Sequence, residues 1–140
     1  MPDEQPIELV LSKIKIDENR SEQIIILKEK NGSRYLPVVI GIAEVNAIKL
    51  KLSGIEPPRP MTHDLLLRVI ESMGGALEGI LINRLENSTF YAKLLVTRNG
   101  SGEAIEIDAR PSDSIALALR ANARIEANPS VLDQAGVDGL

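Results

Sequence analysis

Six side chains stand out for the chemistry that their types and spacing allow. They are Glu44, the sole histidine His63 with Asp64 beside it, and Asp108, Arg110 and Asp113 within one short turn. An imidazole titrates near neutrality and can take or give a proton. Carboxylates gathered from distant parts of a chain can hold Mg²⁺ or Mn²⁺, which prefer oxygen ligands. Metal-bound water can then attack a phosphodiester, with a guanidinium neutralising the charge of the transition state. On that reading His63, Arg110 and Asp108 are the catalytic candidates, and Glu44, Asp64 and Asp113 the metal ligands. The same residues have a plainer use. Acids at helix starts serve the unpaired N–H groups and the dipole there, and an Asp–Arg pair can brace a turn. Spacing alone leaves both uses open.

Either use needs rigid elements to place these groups. Residues 103–109 alternate, with Ile105, Ile107 and Ala109 on one parity and Glu106 and Asp108 on the other, which predicts a half-buried strand. Pro111 suits the first turn of a following helix, and Asp113 suits the dipole of that turn. The helix behind it, through Arg120, is apolar on nearly all sides and rich in alanine, so it is expected to be buried. Thr62 is the expected N-cap of a helix running to Met73, with Leu66, Val69, Ile70 and Met73 as its core stripe and Gly74-Gly75 as its stop. Pro57, Pro58 and Pro60 keep the chain before it extended. Ahead of that, residues 7–16 read as a strand broken near Ser12, and residues 23–28 as a second strand after a polar connection at 17–21. Asn31-Gly32 marks a hairpin, and residues 35–40 form a third strand that Pro37 pushes toward an edge or a bulge. A helix over 43–52 follows, with Val45, Ile48 and Leu52 at helical spacing and Gly54 as its end. Residues 77–85 and 89–97 are further strands, with a turn at Asn99-Gly100. Ile125-Glu126 is a short strand, and a last helix runs from Pro129 or Ser130 to Gly136.

This order repeats. Residues 7–74 and 77–136 each run through three strands and two helices, and an offset of 69 residues relates Glu44 to Asp113. The expectation is a single α+β domain over residues 1–140, built from two duplicated units of mixed sheet and packed helices, with Glu44 and Asp113 in equivalent places.

Composition excludes several classes. With no cysteine among 140 residues, disulfides and thiolate metal sites are out. The start of the chain is neither a secretory signal nor a transit peptide, and no stretch reaches the length of a membrane span, so the expected location is cytoplasmic. A net charge of −4 without a basic run argues against a simple electrostatic nucleic-acid binder. One Phe, two Tyr and no Trp leave little for base stacking. Neither the P-loop nor the Gly-x-Gly-x-x-Gly fingerprint occurs, Ser112 and Ser114 lack a nucleophile elbow, and no lysine follows an acid by two residues as in many restriction-type nucleases.

Three segments carry a family resemblance: residues 36–41 (Leu-Pro-Val-Val-Ile-Gly), residues 54–64 (Gly-Ile-Glu-Pro-Pro-Arg-Pro-Met-Thr-His-Asp) and residues 107–116 (Ile-Asp-Ala-Arg-Pro-Ser-Asp-Ser-Ile-Ala). Together they resemble the bifunctional nuclease domain, over about residues 7–136. The resemblance implies a compact α+β domain and an enzyme that cleaves both DNA and RNA. The further C-terminal interaction motif of many bacterial members is not seen before Leu140, so the partner-dependent roles of those relatives are not expected. The motif positions carried over are Glu44, His63, Asp64, Asp108, Arg110 and Asp113. The expected function is hydrolysis of phosphodiester bonds with Mg²⁺ or Mn²⁺. The alternative is a non-catalytic regulatory or protein-interaction module, and either could be a homodimer.

Overall fold

A computed structural model of the chain describes residues 5–16, 19, 22–98 and 102–139. The expected connection at 17–21, Asn19 apart, and the Asn99-Gly100 turn lie outside the described residues. Strands β1 (Ile7–Lys15), β2 (Glu22–Glu29) and β3 (Arg34–Gly41) form an antiparallel meander. The β1–β2 register shifts between Leu11 and Lys13, at the break expected near Ser12. Glu29 closes the β2–β3 turn by accepting from the Arg34 amide at 3.1 Å and from its Nε at 2.7 Å. Helix α1 (Ile42–Leu52) follows β3 without a loop, and the extended proline segment then leads to α2 (Thr62–Ser72). Strands β4 (Gly75–Glu86) and β5 (Thr89–Arg98) make a hairpin whose turn residues Asn87 and Ser88 both have positive φ, as a two-residue hairpin turn requires. Strand β6 (Ala104–Ala109) leads into α3 (Pro111–Ala121), which Asn122 ends in the left-handed conformation. Strand β7 (Arg124–Ala127), α4 (Pro129–Ala135) and β8 (Val137–Asp138) complete the described chain.

All eight strands join one mixed sheet in the order β6-β5-β4-β7-β1-β2-β3-β8. Among the described residues the only parallel pair is β4–β7, and β7 runs antiparallel to β1 on its other side. The two meanders thus lie on either side of β7, and each feeds straight into a helix. The second half alone supplies the central strand, so the internal duplication stays an expectation. The α+β class is what the structure shows.

Helix α3 is the inner helix, packing on β3, β4, β5 and β7 and on both other long helices. Its Ser114, Ile115, Ala116, Leu117 and Ala118 have no solvent exposure, and Ser114 Oγ satisfies itself by donating to the Arg110 carbonyl at 2.8 Å. Alanines on this helix let its neighbours approach closely, while Ile115 and Leu117 share one buried core with Ile80, Ile82, Ile25 and Leu36. Each fully buried branched side chain contributes roughly 1.5–3 kcal/mol. Among the described residues no helix is long and apolar enough to cross a membrane.

Four local expectations need correction. Strand β6 exists, but Ile105 and Ile107 are exposed rather than half-buried, because β6 is the sheet's edge and the main helix contacts end at β5. Leu52 is exposed at the end of α1, while Val45 and Ile48 are buried as expected. The N-cap of α2 is Met61, not Thr62: the Asp64 carboxylate accepts from the Met61 amide at 3.1 Å, so the acid in the first turn does the capping. The core face of α2 is turned from the one expected. Leu67 and Ile70 pack inward, whereas Leu66, Val69 and Met73 are exposed. Gly75 explains the choice. A Cβ there would lie 3.0 Å from the Ile70 carbonyl and 3.1 Å from both Ile70 and Val96 side-chain atoms, so glycine lets α2 seat Ile70 against β5.

Candidate active site

The starts of α1, α2 and α3 each carry one acid at the third helical residue, namely Glu44, Asp64 and Asp113. That position suits an acid because the first-turn N–H groups lack partners. Contacts of α3 with both α1 and α2 bring these starts into one neighbourhood. The side chains then sort into two groups.

In the first group, Asp113 is engaged at both oxygens. His63 Nε2 lies 3.0 Å from Oδ1, while Arg110 points Nε (3.0 Å) and Nη2 (2.9 Å) at Oδ2. The same Nη2 donates to Glu44 Oε1 at 2.8 Å. The result is a continuous chain His63–Asp113–Arg110–Glu44 drawn from all three helix starts. Glu44 is buried, and Gly41 makes room for it, since a Cβ on Gly41 would stand 2.7 Å from Glu44 Oε2. Arg110 is 70% exposed, so its outer face meets solvent. The hydrogen bond and charge of Asp113, then Glu44, hold its guanidinium above its ordinary pKa, and it is a permanent cation. A cleft of about 430 Å³ opens beside it, lined by Pro37 and Val39 of β3, Phe90 of β5 and the start of α3.

The second group is Asp64 with Arg120. His63 and Asp64 are adjacent but project from α2 about 100° apart, so His63 reaches the start of α3 while Asp64 reaches its last turn. Arg120 Nε donates to Asp64 Oδ1 at 2.5 Å, and the Arg120 side chain is only 6% exposed. Burial pushes the Asp64 carboxyl up. The hydrogen bonds from Arg120 and the Met61 amide, with the charges of Arg120 and Arg68, outweigh that and hold it below its ordinary value.

The structure therefore brings together His63, Arg110, Asp113 and Glu44 of the six expected residues. Asp64 is turned away to Arg120, and Asp108 is exposed on β6 opposite Lys93, whose ammonium pairs with Glu106 instead. Arg120 is absent from the sequence-based set. The signal that could have found it is its spacing, seven residues after Asp113 and hence on the same face of α3 two turns on.

The acids do not fit the expected divalent ion. A guanidinium already lies between Glu44 and Asp113, Asp64 is bound elsewhere, and among the described residues no three His, Asp or Glu side chains are grouped to hold a metal. What the first group offers is different: an imidazole oriented by a carboxylate, beside an exposed guanidinium that can fork onto phosphate oxygens.

Comparison with known proteins places these residues in a wider set. A family model described as the bifunctional nuclease domain matches residues 25–139. An uncharacterized protein of Mycobacterium tuberculosis is 44% identical over 124 residues, covering 89% of this chain and 73% of its own. Bifunctional nuclease 1 of Oryza sativa is 29% identical over 118 residues, 82% of this chain and 35% of that protein. Bifunctional nuclease 1 of Arabidopsis thaliana is 24% identical over 107 residues, 74% of this chain and 33% of that protein.

Proposed function

Because the chain belongs to the bifunctional nuclease domain family, we propose that it hydrolyses the phosphodiester bonds of DNA and RNA at the His63–Asp113–Arg110–Glu44 cluster. The observation that carries this reading is the pairing of His63 with Asp113 at 3.0 Å beside a guanidinium that is 70% exposed. Carboxylate oxygens only accept, so in the neutral imidazole the proton belongs on Nε2 and Nδ1 is the acceptor that takes a proton from the attacking water. Asp113 fixes that tautomer and the ring's orientation, and Arg110 binds the phosphate and offsets the charge it gains. Glu44 positions Arg110 from its buried side. Phe90 and Pro37, in the adjoining cleft, give a base an apolar surface to rest on. No step is assigned to Mg²⁺ or Mn²⁺.

The test is hydrolysis of single-stranded DNA and of RNA by highly purified protein, with and without chelator. His63→Ala and Asp113→Asn should lose activity on both substrates, and the wild type should keep it in chelator. Activity unchanged in both variants would remove the cluster from the chemistry; activity abolished by chelator would restore a metal to it.

A second reading, a regulatory or interaction module acting as a homodimer, is favoured by one observation. Met61, Leu65, Val69 and Met73 form an exposed apolar stripe at four-residue spacing along α2. Light scattering decides it: a dimer that Val69→Glu splits into monomers supports this reading, and a monomer at all concentrations removes it.

A further inference from the structure

A second pocket lies beside α2 at the Arg120 end of α3. It has a volume of about 350 Å³ and is walled by the proline segment, the end of α1, α2 and the last turn of α3. At its base is the Arg120 guanidinium. Nε is bonded to Asp64, but Nη1 is buried and meets no acceptor among the described residues. A buried donor left without a partner is destabilising, and natural proteins rarely keep one without a use. Three further cations, Lys51, Arg59 and Arg68, line the same pocket from three different segments and are exposed. Glu56 and Glu71 also stand on its wall, and Asp64 is already bound to Arg120. Four cations against three acids leave the pocket net positive in a chain whose net charge is −4.

We propose that this pocket binds a phosphate group, with Arg120 as the buried anchor and Arg59 and Arg68 closing over it from the proline segment and α2. A phosphate supplies several acceptor oxygens to one guanidinium while its outer oxygens meet mobile arginines, which matches one sealed and two exposed cations. The stiff proline segment holds Arg59 at the rim without the entropy loss of a flexible loop. The proposal does not require hydrolysis at the His63 cluster. If both hold, Asp113 and Arg120 are about 10 Å apart along α3 at 1.5 Å per residue, so one strand could reach both sites.

The experiment is thermal unfolding of the full chain titrated with inorganic phosphate against chloride of equal ionic strength. Phosphate should raise the Tm saturably, because a ligand held only by the folded state stabilises it. The Arg59→Ala, Arg68→Ala double variant, altered only at exposed positions, should bind phosphate about tenfold more weakly, the effect of losing roughly one charged hydrogen bond. Arg84→Ala, which removes an exposed arginine of β4 outside both sites, should bind as the wild type does. Two further ligands, tested in a His63→Ala background, identify the source. Competition by an oligonucleotide lacking terminal phosphates assigns the pocket to the nucleic-acid backbone, and competition by a 5′-mononucleotide alone assigns it to terminal or free phosphates. No saturable shift, an unchanged shift in the double variant, or an equal weakening in Arg84→Ala would overturn the proposal. Loss of hydrolysis in His63→Ala with the phosphate shift intact would separate this site from the proposed active site.

Discussion

Two arginine–carboxylate assemblies sit on opposite ends of α3 and differ chiefly in burial. Arg110, at the start, is 70% exposed and shared by two acids, whereas Arg120, in the last turn, is 6% exposed and has one acid and an orphan donor. An exposed ion pair contributes little to stability because water competes for both partners. A buried one is different: removing either partner strands a desolvated charge. The same chemical pair can therefore be a reactive surface at one end of a helix and a structural clamp at the other. Their neighbours agree with that division. Arg110 stands beside an imidazole and an open cleft, and Arg120 ties α2 to the end of the core helix.

The division is tested most severely at His63. Its replacement by alanine should lower kcat/KM on DNA and RNA by about 10²–10⁴, the usual share of a general base, without unfolding the chain. Arg110→Ala should lower kcat/KM by about 10²–10³ while costing no more than about 1–2 kcal/mol, since the guanidinium is exposed although its partner Glu44 is buried. Steady-state kinetics and urea unfolding on the same preparations measure both quantities. An Arg110→Ala protein that loses several kcal/mol and keeps its activity would reverse the assignment of the two ends.

Next in size is Asp64→Ala. It leaves the Arg120 cation unpaired at 6% exposure and should cost about 3 kcal/mol in urea unfolding. Asp113→Ala, whose main partner is exposed, should cost about 1 kcal/mol. Equal losses would mean that burial does not separate the two assemblies.

Gly41→Ala probes the Arg110 end more finely. The backbone at Gly41 is extended, with φ of −81°, so alanine is accommodated, but its Cβ would meet the Glu44 carboxylate at 2.7 Å. The carboxylate must swing away from Arg110. The expected result is a fall in kcat/KM of about tenfold from a misplaced guanidinium, with little change in Tm. Unaltered kinetics would show that Glu44 does not position Arg110.

The sequence marked the Arg110 end well and the Arg120 end hardly at all, for a physical reason. His63 and Asp113 are 50 residues apart yet both announce themselves, because each sits at a helix start signalled by proline or a first-turn acid. Arg120 has no such signal: a basic residue in a last turn is ordinary, and only the crossing of α2 makes it buried. The direction of Asp64 is illegible for the same reason, since it depends on the rotation of α2. That rotation is hidden in the sequence, because α2 has apolar residues on two faces, and Gly75 rather than periodicity decides which is inside. Strand β6 shows a related limit. Alternation gave the strand, but its exposure follows from lying at the edge of the sheet.

The smallest effect, and the one that isolates the buried assembly, is its dependence on pH. The Asp64 carboxyl is held below its ordinary value of 3.8 in the folded chain. A depressed carboxylate contributes stability that is fully present above the unfolded value and is lost as pH falls through the lower folded one. A guanidinium does not titrate in acid, so the change belongs to the carboxylate alone. The stability gap between wild type and Asp64→Asn should therefore be constant from neutrality down to about pH 4.5 and narrow steadily below 3.8, as both proteins come to carry a neutral group at this position. Urea unfolding across that range measures it. A gap that stayed constant into strong acid would mean that Asp64 contributes through shape or capping of the Met61 amide rather than through its charge on Arg120, and the clamp would then be steric rather than ionic.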